Sequence, residues 1–229
     1  MRGAEHFEGF VTAEEARAKR YQYVPITIPA GCTRLDVSYH FHCPGNEGGV
    51  AVDIGVFDTR GTEPFTGGFR GWSGSARRSF TIGRDYATPG YVHGPLTPGT
   101  WSIVIGLAEI AEPGIQWFVS AETEWEERDG PREASISSPR IAATREPLAG
   151  GDVLQWYRGD LHTHTEHSDG DNSIAEMAAE GSRLGLDFLA ITDHNTVSHH
   201  AEIDAGDWPL LLLPGEEVTM YWGHCNAWG

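Results

Sequence analysis

Asp160-Leu161-His162-Thr163-His164-Thr165-Glu166-His167-Ser168-Asp169-Gly170 is the stretch on which the reading of this chain turns. It follows Val153-Leu154-Gln155-Trp156-Tyr157, which reads as the start of a strand. Side chains on a strand alternate faces, so Asp160, His162 and His164 share one side. Two imidazoles at that spacing can grip one metal ion. Asp169, past a short turn, can fold back to a neighbouring ion, and Ser168-Asp169-Gly170 is a turn signal that aims its carboxylate. A lone His-x-His is weak evidence. Here it stands between acids and is followed by two more ligand clusters, which makes it strong.

Downstream the hydrophobic period switches. Ser173-Ile174-Ala175-Glu176 is a capping-box sequence that starts a helix, and Gly185 ends it. Ile174, Met177, Ala178 and Leu184 fall near helical spacing and are expected in the core. Asp187 to Thr192 predicts a buried strand, followed by Asp193-His194-Asn195. A short helical or loop segment holds His199 and His200. Leu210 to Leu213 predicts the next buried strand, ending at Pro214-Gly215-Glu216-Glu217. Strands alternating with helices predict a parallel sheet or α/β barrel, with polar ligand-type residues at the C-terminal ends of the strands.

Three strand ends thus supply candidate ligands: His162, His164 and Asp169; Asp193 and His194; Glu216, Glu217 and His224. Mixed imidazole and carboxylate donors suit zinc, manganese or iron and disfavour a Cys-rich structural knot. So many ligands imply more than one ion, with a carboxylate such as Glu217 able to bridge ions about 3.5–4 Å apart. Metal-bound water ionises near pH 7, which supplies a hydroxide nucleophile. The chain has neither a G-x-S-x-G elbow nor a P-loop.

Upstream, Tyr21 to about Trp125 is patterned as all-β. Leu35, Val37, Tyr39 and Phe41 alternate with polar residues, as do Val50, Val52, Ile54 and Val56. Trp101, Ile103, Ile105 and Leu107 form a third run, and Ile115, Trp117 and Val119 a fourth. Pro-Gly pairs punctuate them, which predicts a jelly-roll-like β-sandwich. Thr12 to Arg20 predicts a short polar helix capped by Thr12 with Glu15 three residues on. Phe69-Arg70-Gly71-Trp72-Ser73-Gly74 reads as a Gly-rich loop. His40-Phe41-His42 is a second His-x-His, but no ligand cluster follows it, so surface histidines are expected. The domains expected are 1–125, a β-sandwich with a short leading helix; 126–157, a linker; and 158–229, the metal-binding part.

Composition agrees with this division. The net charge is -17, and residues 151–229 hold two arginines and no lysine against fourteen acids. Seven of the eleven histidines lie between 162 and 224. Such acidity repels nucleic acid and anionic membrane and suits a gatherer of divalent cations. The expected partner is a small-molecule substrate, with no nucleic acid and no membrane. Three scattered cysteines, Cys32, Cys43 and Cys225, read as free thiols in a reducing compartment. With no signal-peptide pattern at the N-terminus, a cytoplasmic location is expected.

Three of these motifs together resemble the PHP (polymerase and histidinol phosphatase) superfamily: Asp-Leu-His162-Thr-His164-Thr with Ser-Asp169-Gly; Thr192-Asp193-His194-Asn195; and Pro214-Gly215-Glu216-Glu217-Val218-Thr219. Gly223-His224-Cys225-Asn226-Ala227-Trp228-Gly229, behind a β-rich first domain, is similar to the CehA/McbA-type branch, which includes carbaryl hydrolases. The resemblance implies metal ligation by His162, His164, Asp169, His194, Glu217 and His224, with Glu217 chosen over Glu216. It implies that Glu217 and His194 serve catalysis through the ions they hold. Asp160 and Asp193 are then expected to orient imidazoles from outside the ligand set, and His167, His199 and His200 to sit at the rim or surface. The implied fold is the first part of an α/β (β/α)7 barrel, short of its later strands, with two or three divalent ions (zinc, manganese or iron) in the complete site and fewer here. An open barrel edge would allow self-association. The implied activity is metal-dependent hydrolysis of a phosphoester, or of a carbamate or amide-type ester. The rival expectation is a non-catalytic β-sandwich that binds a ligand or partner, with a degenerate, structural metal site.

Overall fold

The computed structural model describes residues 1–44, 49–62, 67–126 and 156–229. Its first domain runs β1 (Arg2–Thr12), α1 (Ala13–Ala18), β2 (Tyr21–Ile28), β3 (Cys32–His42), β4 (Ala51–Phe57), β5 (Phe69–Gly74), β6 (Ser79–Gly83), β7 (Gly99–Glu109) and β8 (Gly114–Trp125). Two four-stranded sheets result, in the orders β1-β8-β3-β6 and β2-β7-β4-β5, with every pairing antiparallel. The alternating residues fill one continuous core between them: Leu35, Val37 and Tyr39 from β3, Val52, Ile54 and Val56 from β4, Trp101, Ile103, Ile105 and Leu107 from β7, and Ile115 and Val119 from β8. This is a β-sandwich, as the alternation and Pro-Gly turns predict.

Two elements differ from the sequence reading. The polar N-terminus contains β1, which pairs along its whole length with β8. Its apolar signal is hidden because glycines occupy inward positions: a Cβ at Gly9 would collide with the Trp117 ring, and one at Gly3 would crowd Trp125. Phe69–Gly74 is not a loop but strand β5, paired with β4 across register shifts. Its Arg70 is 3% exposed and paired with buried Asp58, so a polar residue sits where alternation would place an apolar one. The helix α1 forms as expected, with Thr12 and Glu15 making a reciprocal capping box. The residues of the expected linker lie, apart from 126, 156 and 157, outside the described ones.

The second domain runs β9 (Gly159–Thr163), α2 (Ile174–Arg183), β10 (Phe188–Ile191), α3 (His200–Ala205), β11 (Leu211–Met220) and β12 (Gly223–Trp228). Its sheet has the order β12-β11-β10-β9. β9, β10 and β11 are parallel, as the β-α-β-α-β pattern requires, and β12 is antiparallel to β11. The helices are amphipathic and cover one side, where Ile174, Ala178, Leu189, Ile191, Ile203 and Leu212 form a second core. Ser173 caps α2 and Gly185 follows it at φ 72°, the left-handed position that favours glycine. Among the described residues the sheet is open, with β9 and β12 at its edges. A closed barrel is not formed by these four strands.

β11 does not stop at Pro214. It pairs with β10 through Pro214 and then changes partner, pairing with β12 from Gly215 to Met220. Proline lacks the donor a ladder needs, yet it is tolerated where one pairing gives way to the next. Pro214 still accepts a hydrogen bond from the Gly229 amide at 3.0 Å.

The two domains meet through specific contacts. The Tyr221 hydroxyl donates to Asp53 at 2.9 Å, and the Tyr221 ring stacks on Tyr21 with centroids 5.6 Å apart. A Cβ at Gly106, in the middle of β7, would collide with that hydroxyl, so the glycine marks a close approach within a strand. The Gly90 amide donates to Ser198 Oγ and the Gly90 carbonyl accepts from Thr196 Oγ1, each at 3.0 Å. Arg77 donates to the carbonyl of Glu166.

Candidate metal centre

The site is assembled at the C-terminal ends of the parallel strands. β9 delivers His162 and, one residue beyond its end, His164; their Nε2 atoms lie 3.0 Å apart. The loop after β10 delivers His194. β11 delivers Glu217, and β12 delivers His224 from directly beside Thr219 in the antiparallel register. Asp169 arrives on the turn after β9.

Glu217 is the centre of this arrangement. Its carboxylate lies 3.0 Å from His162 Nε2, 3.1 Å from His164 Nε2, 3.2 Å from His194 Nδ1 and 3.0 Å from His224 Nδ1. Its carboxylate is 5% exposed. Burial works to raise its pKa, but the hydrogen bonds from His162 and His224 and the charges of the surrounding imidazoles outweigh burial and hold it below the usual carboxylate value. Asp169 stands 3.5 Å from His164 Nδ1 and 3.6 Å from His194 Nε2. His194 is pushed toward its neutral form chiefly by burial, against the pull of Asp169. A neutral imidazole is the form that ligates metal.

Three groups of donors converge closely enough to hold an ion: His162, His164 and Glu217; His164, Asp169 and His194; and His194, Glu217 and His224. The six side chains expected as ligands are therefore brought together, with Glu217 in two of the groups. The donor set fits a divalent cation in its own chemistry. Four imidazoles press their nitrogens on one buried carboxylate, a gathering of lone pairs that a cation would neutralise. Glu216 is on the other face of β11, as the period of two demands, and is absent from all three groups.

Asp160 and Asp193 do not orient imidazoles of this set directly. Asp160 accepts from the backbone amide of His162 at 3.0 Å and so fixes the strand end. Asp193 is fully buried and accepts from the Thr165 amide and hydroxyl, each at 2.7 Å, and from Ser168 Oγ at 2.6 Å. It ties down the turn that carries Asp169. A residue outside the expected set orients one imidazole of the ligand set: Thr219 Oγ1 lies 2.5 Å from His194 Nδ1. Its sequence signal is its position two residues after Glu217 on one strand, which puts it on the same face.

His167 and His199 are buried, not at the rim or surface as expected, and His200 is half-buried. His199 is 0% exposed and His167 8%. His199 and His200 both direct Nε2 at the carbonyl of Gly215, at 2.9 and 3.1 Å, and His167 Nδ1 meets Ser198 Oγ at 2.7 Å. Burial pushes the pKa of His199 down to about 4, although Asp193 opposes this. The His40-x-His42 pair joins none of the converging groups; His40 stacks on Phe118 with ring centroids 4.5 Å apart. Cys32 and Cys43 are buried thiols and Cys225 is exposed. Among the described residues no helix is long and apolar enough to cross a membrane.

Comparison with known proteins bears on the same segment. The chain is 35% identical over 65 residues to a 5'-3' exoribonuclease of Haemophilus influenzae and 36% identical over 67 residues to the 5'-3' exoribonuclease Rnm of Escherichia coli. Each match takes in 28% of this chain and about a quarter of the relative, 24% and 23%. Among solved structures, one titled a crystal structure of FLHE aligns with 55% of this chain and 98% of its own at 14% identity, but with a TM-score of 0.27, which carries no argument about the fold. The family model that matches is the PHP domain, over residues 160–227, and all six converging side chains fall within it.

Proposed function

We propose that this protein is a metal-dependent hydrolase of the PHP superfamily that acts on a small phosphoester. The observation that carries the reading is the convergence of His162, His164, His194 and His224 on the buried carboxylate of Glu217. The match to the PHP domain and the names of the two relatives, which act on a phosphodiester polymer, support hydrolysis and favour a phosphoester over the carbamate or amide-type ester of the CehA/McbA branch. The acidity of residues 151–229 argues for a small substrate over a long polyanion. Bound zinc, manganese or iron would supply Lewis acidity and a water that ionises near neutral pH.

The residues of the chain have separable tasks in this reading. Glu217 sits between two donor groups and would hold them in register. His162, His164, His194 and His224 fix the directions from which the carboxylate is approached, and Asp169 faces His164 and His194. Thr219 sets the ring of His194, and Asp193 sets the loop of Asp169. Ser168 Oγ lies 3.4 Å from His164 Nδ1, and its hydroxyl donates to Asp193 at 2.6 Å.

The test is a substrate screen on one preparation, metal-loaded and metal-stripped, with phosphomonoesters, phosphodiesters, aryl carbamates and an oligoribonucleotide. Metal-dependent turnover of a small phosphoester supports the proposal. Turnover of the carbamate alone, or of the oligoribonucleotide alone, contradicts the substrate class. A fold that collapses without metal, together with no turnover in any state, supports the non-catalytic alternative instead.

A further inference from the structure

A second concavity lies where the domains meet, beside the donor cluster, with Glu216 and Thr219 of β11 in its wall. It has a volume of about 220 Å³, and its walls include Tyr21 and Tyr23 of β2, Phe57 of β4, Phe69 and Trp72 of β5, and Glu216 of β11. For scale, an apolar cavity of about 150 Å³ suffices to hold benzene. The rings are arranged around the space, not collapsed into it. Tyr23 and Phe57 have centroids 6.2 Å apart, Phe57 and Phe69 5.3 Å, and Tyr21 and Trp72 6.3 Å at a 71° tilt. Tyr23 and Phe69 stay 44% and 36% exposed, so large apolar surface faces water here. An exposed aromatic patch with a polar group at its back is the usual composition of a ligand pocket.

The polar group is Glu216. Among the described residues its carboxylate joins no hydrogen bond and no ion pair, and burial is the main influence on it. A half-buried carboxylate without a partner is costly, and a ligand that brings donors would relieve the cost. Aromatic faces are negative, so they reinforce the preference for a cation or an N–H edge. The cleft also touches the donor cluster: Thr219 lines it and at the same time holds His194 Nδ1.

We infer that this cleft binds a flat aromatic group bearing a cationic or N–H donor nitrogen, with the ring among Tyr23, Phe57 and Phe69 and the nitrogen directed at Glu216. Its role as the pocket for one end of the substrate rests on the hydrolase reading above; its occupancy by such a group does not.

The probe is benzamidine, a flat ring with an amidinium, compared with benzoate (same ring, opposite charge) and cyclohexanecarboxamidine (same cation, no aromatic ring). Binding is measured by calorimetric titration of the whole protein and of Glu216→Gln and Phe69→Ala, with circular dichroism to confirm the fold. Both side chains are partly solvent-facing, and Glu216→Gln keeps shape and volume. Saturable benzamidine binding is expected, with each comparison compound and each variant weaker by about tenfold or more, equivalent to 1.4 kcal/mol. Benzoate binding as tightly as benzamidine, no saturation by benzamidine into the millimolar range, or unchanged affinity in both folded variants would overturn the inference. Metal content and ester hydrolysis are read on the same samples. Benzamidine binding without any hydrolysis would leave the cleft standing and remove the hydrolase reading, and hydrolysis without benzamidine binding would do the reverse.

Discussion

Thr219 Oγ1 holds His194 Nδ1 at 2.5 Å, and the same hydroxyl donates to the Glu217 carbonyl at 3.2 Å. A hydroxyl has one proton, so if it is given to the carbonyl, the oxygen must accept from His194. Nδ1 then carries the ring proton and Nε2 keeps the lone pair. Nε2 is the nitrogen that faces Asp169. Of the two donor groups that include His194, this favours the one with His164 and Asp169. Thr219→Val should keep the strand, given its β-branched shape, and weaken metal affinity about 10–100-fold, as loss of an imidazole's outer partner does. Competition against a chelating dye measures it.

The two His-x-His pairs should behave oppositely. His162→Ala and His194→Ala each remove a donor from a converging group and should lower bound metal as measured by elemental analysis. His40→Ala removes a ring that stacks on Phe118 and should leave the metal content unchanged. Equal loss in His40→Ala would mean that metal is held elsewhere.

Asp193 takes hydrogen bonds from two hydroxyls and one amide with no access to water. Hydrogen bonds to a charged group contribute about 1.5–3 kcal/mol each, and their donors would be stranded without it. Asp193→Ala should destabilise the second domain by on the order of 3 kcal/mol and loosen the Asp169 turn. Urea unfolding, followed alongside metal binding, would show both effects. A variant as stable as the parent would mean that water replaces the carboxylate freely.

His199 makes stability depend on pH. Its pKa is pushed down to about 4 by burial, from an ordinary 6.5. Between those values the unfolded chain binds a proton there and the folded chain does not. Stability therefore rises with pH through this window and is lost as pH falls from about 6.5 toward 4, by a few kcal/mol at most. His199→Gln can still donate to Gly215 but cannot titrate. The difference between the two unfolding free energies from pH 4 to 7 should shrink at low pH; a constant difference contradicts the assignment.

Much of the fold and of the candidate site is legible in the sequence. β3, β4, β7 and β8 follow from strict alternation and α2 from its capping box; motif spacing at strand ends gives eight candidate donors, which the resemblance to the PHP superfamily narrows to six. What escaped had physical causes. β1 was hidden because Gly3 and Gly9 serve as inward positions beneath tryptophans, and periodicity counts only apolar side chains. β5 was hidden because Arg70 and Asp58 occupy buried positions as a pair. The continuation of β11 was masked by Pro214, whose missing donor costs little where the strand changes partner. The buried histidines look like surface residues in sequence, since their partners are a backbone carbonyl and a serine brought in by folding.

The central claim is that Glu217 organises a metal centre that performs hydrolysis. Its most direct test is metal stoichiometry and phosphoester turnover of Glu217→Gln beside the parent protein. Glutamine keeps the shape but removes the negative charge on which four imidazoles converge. The account predicts that the variant folds, holds less metal and loses metal-dependent turnover. A folded Glu217→Gln with the parent's metal content and the parent's turnover would contradict it.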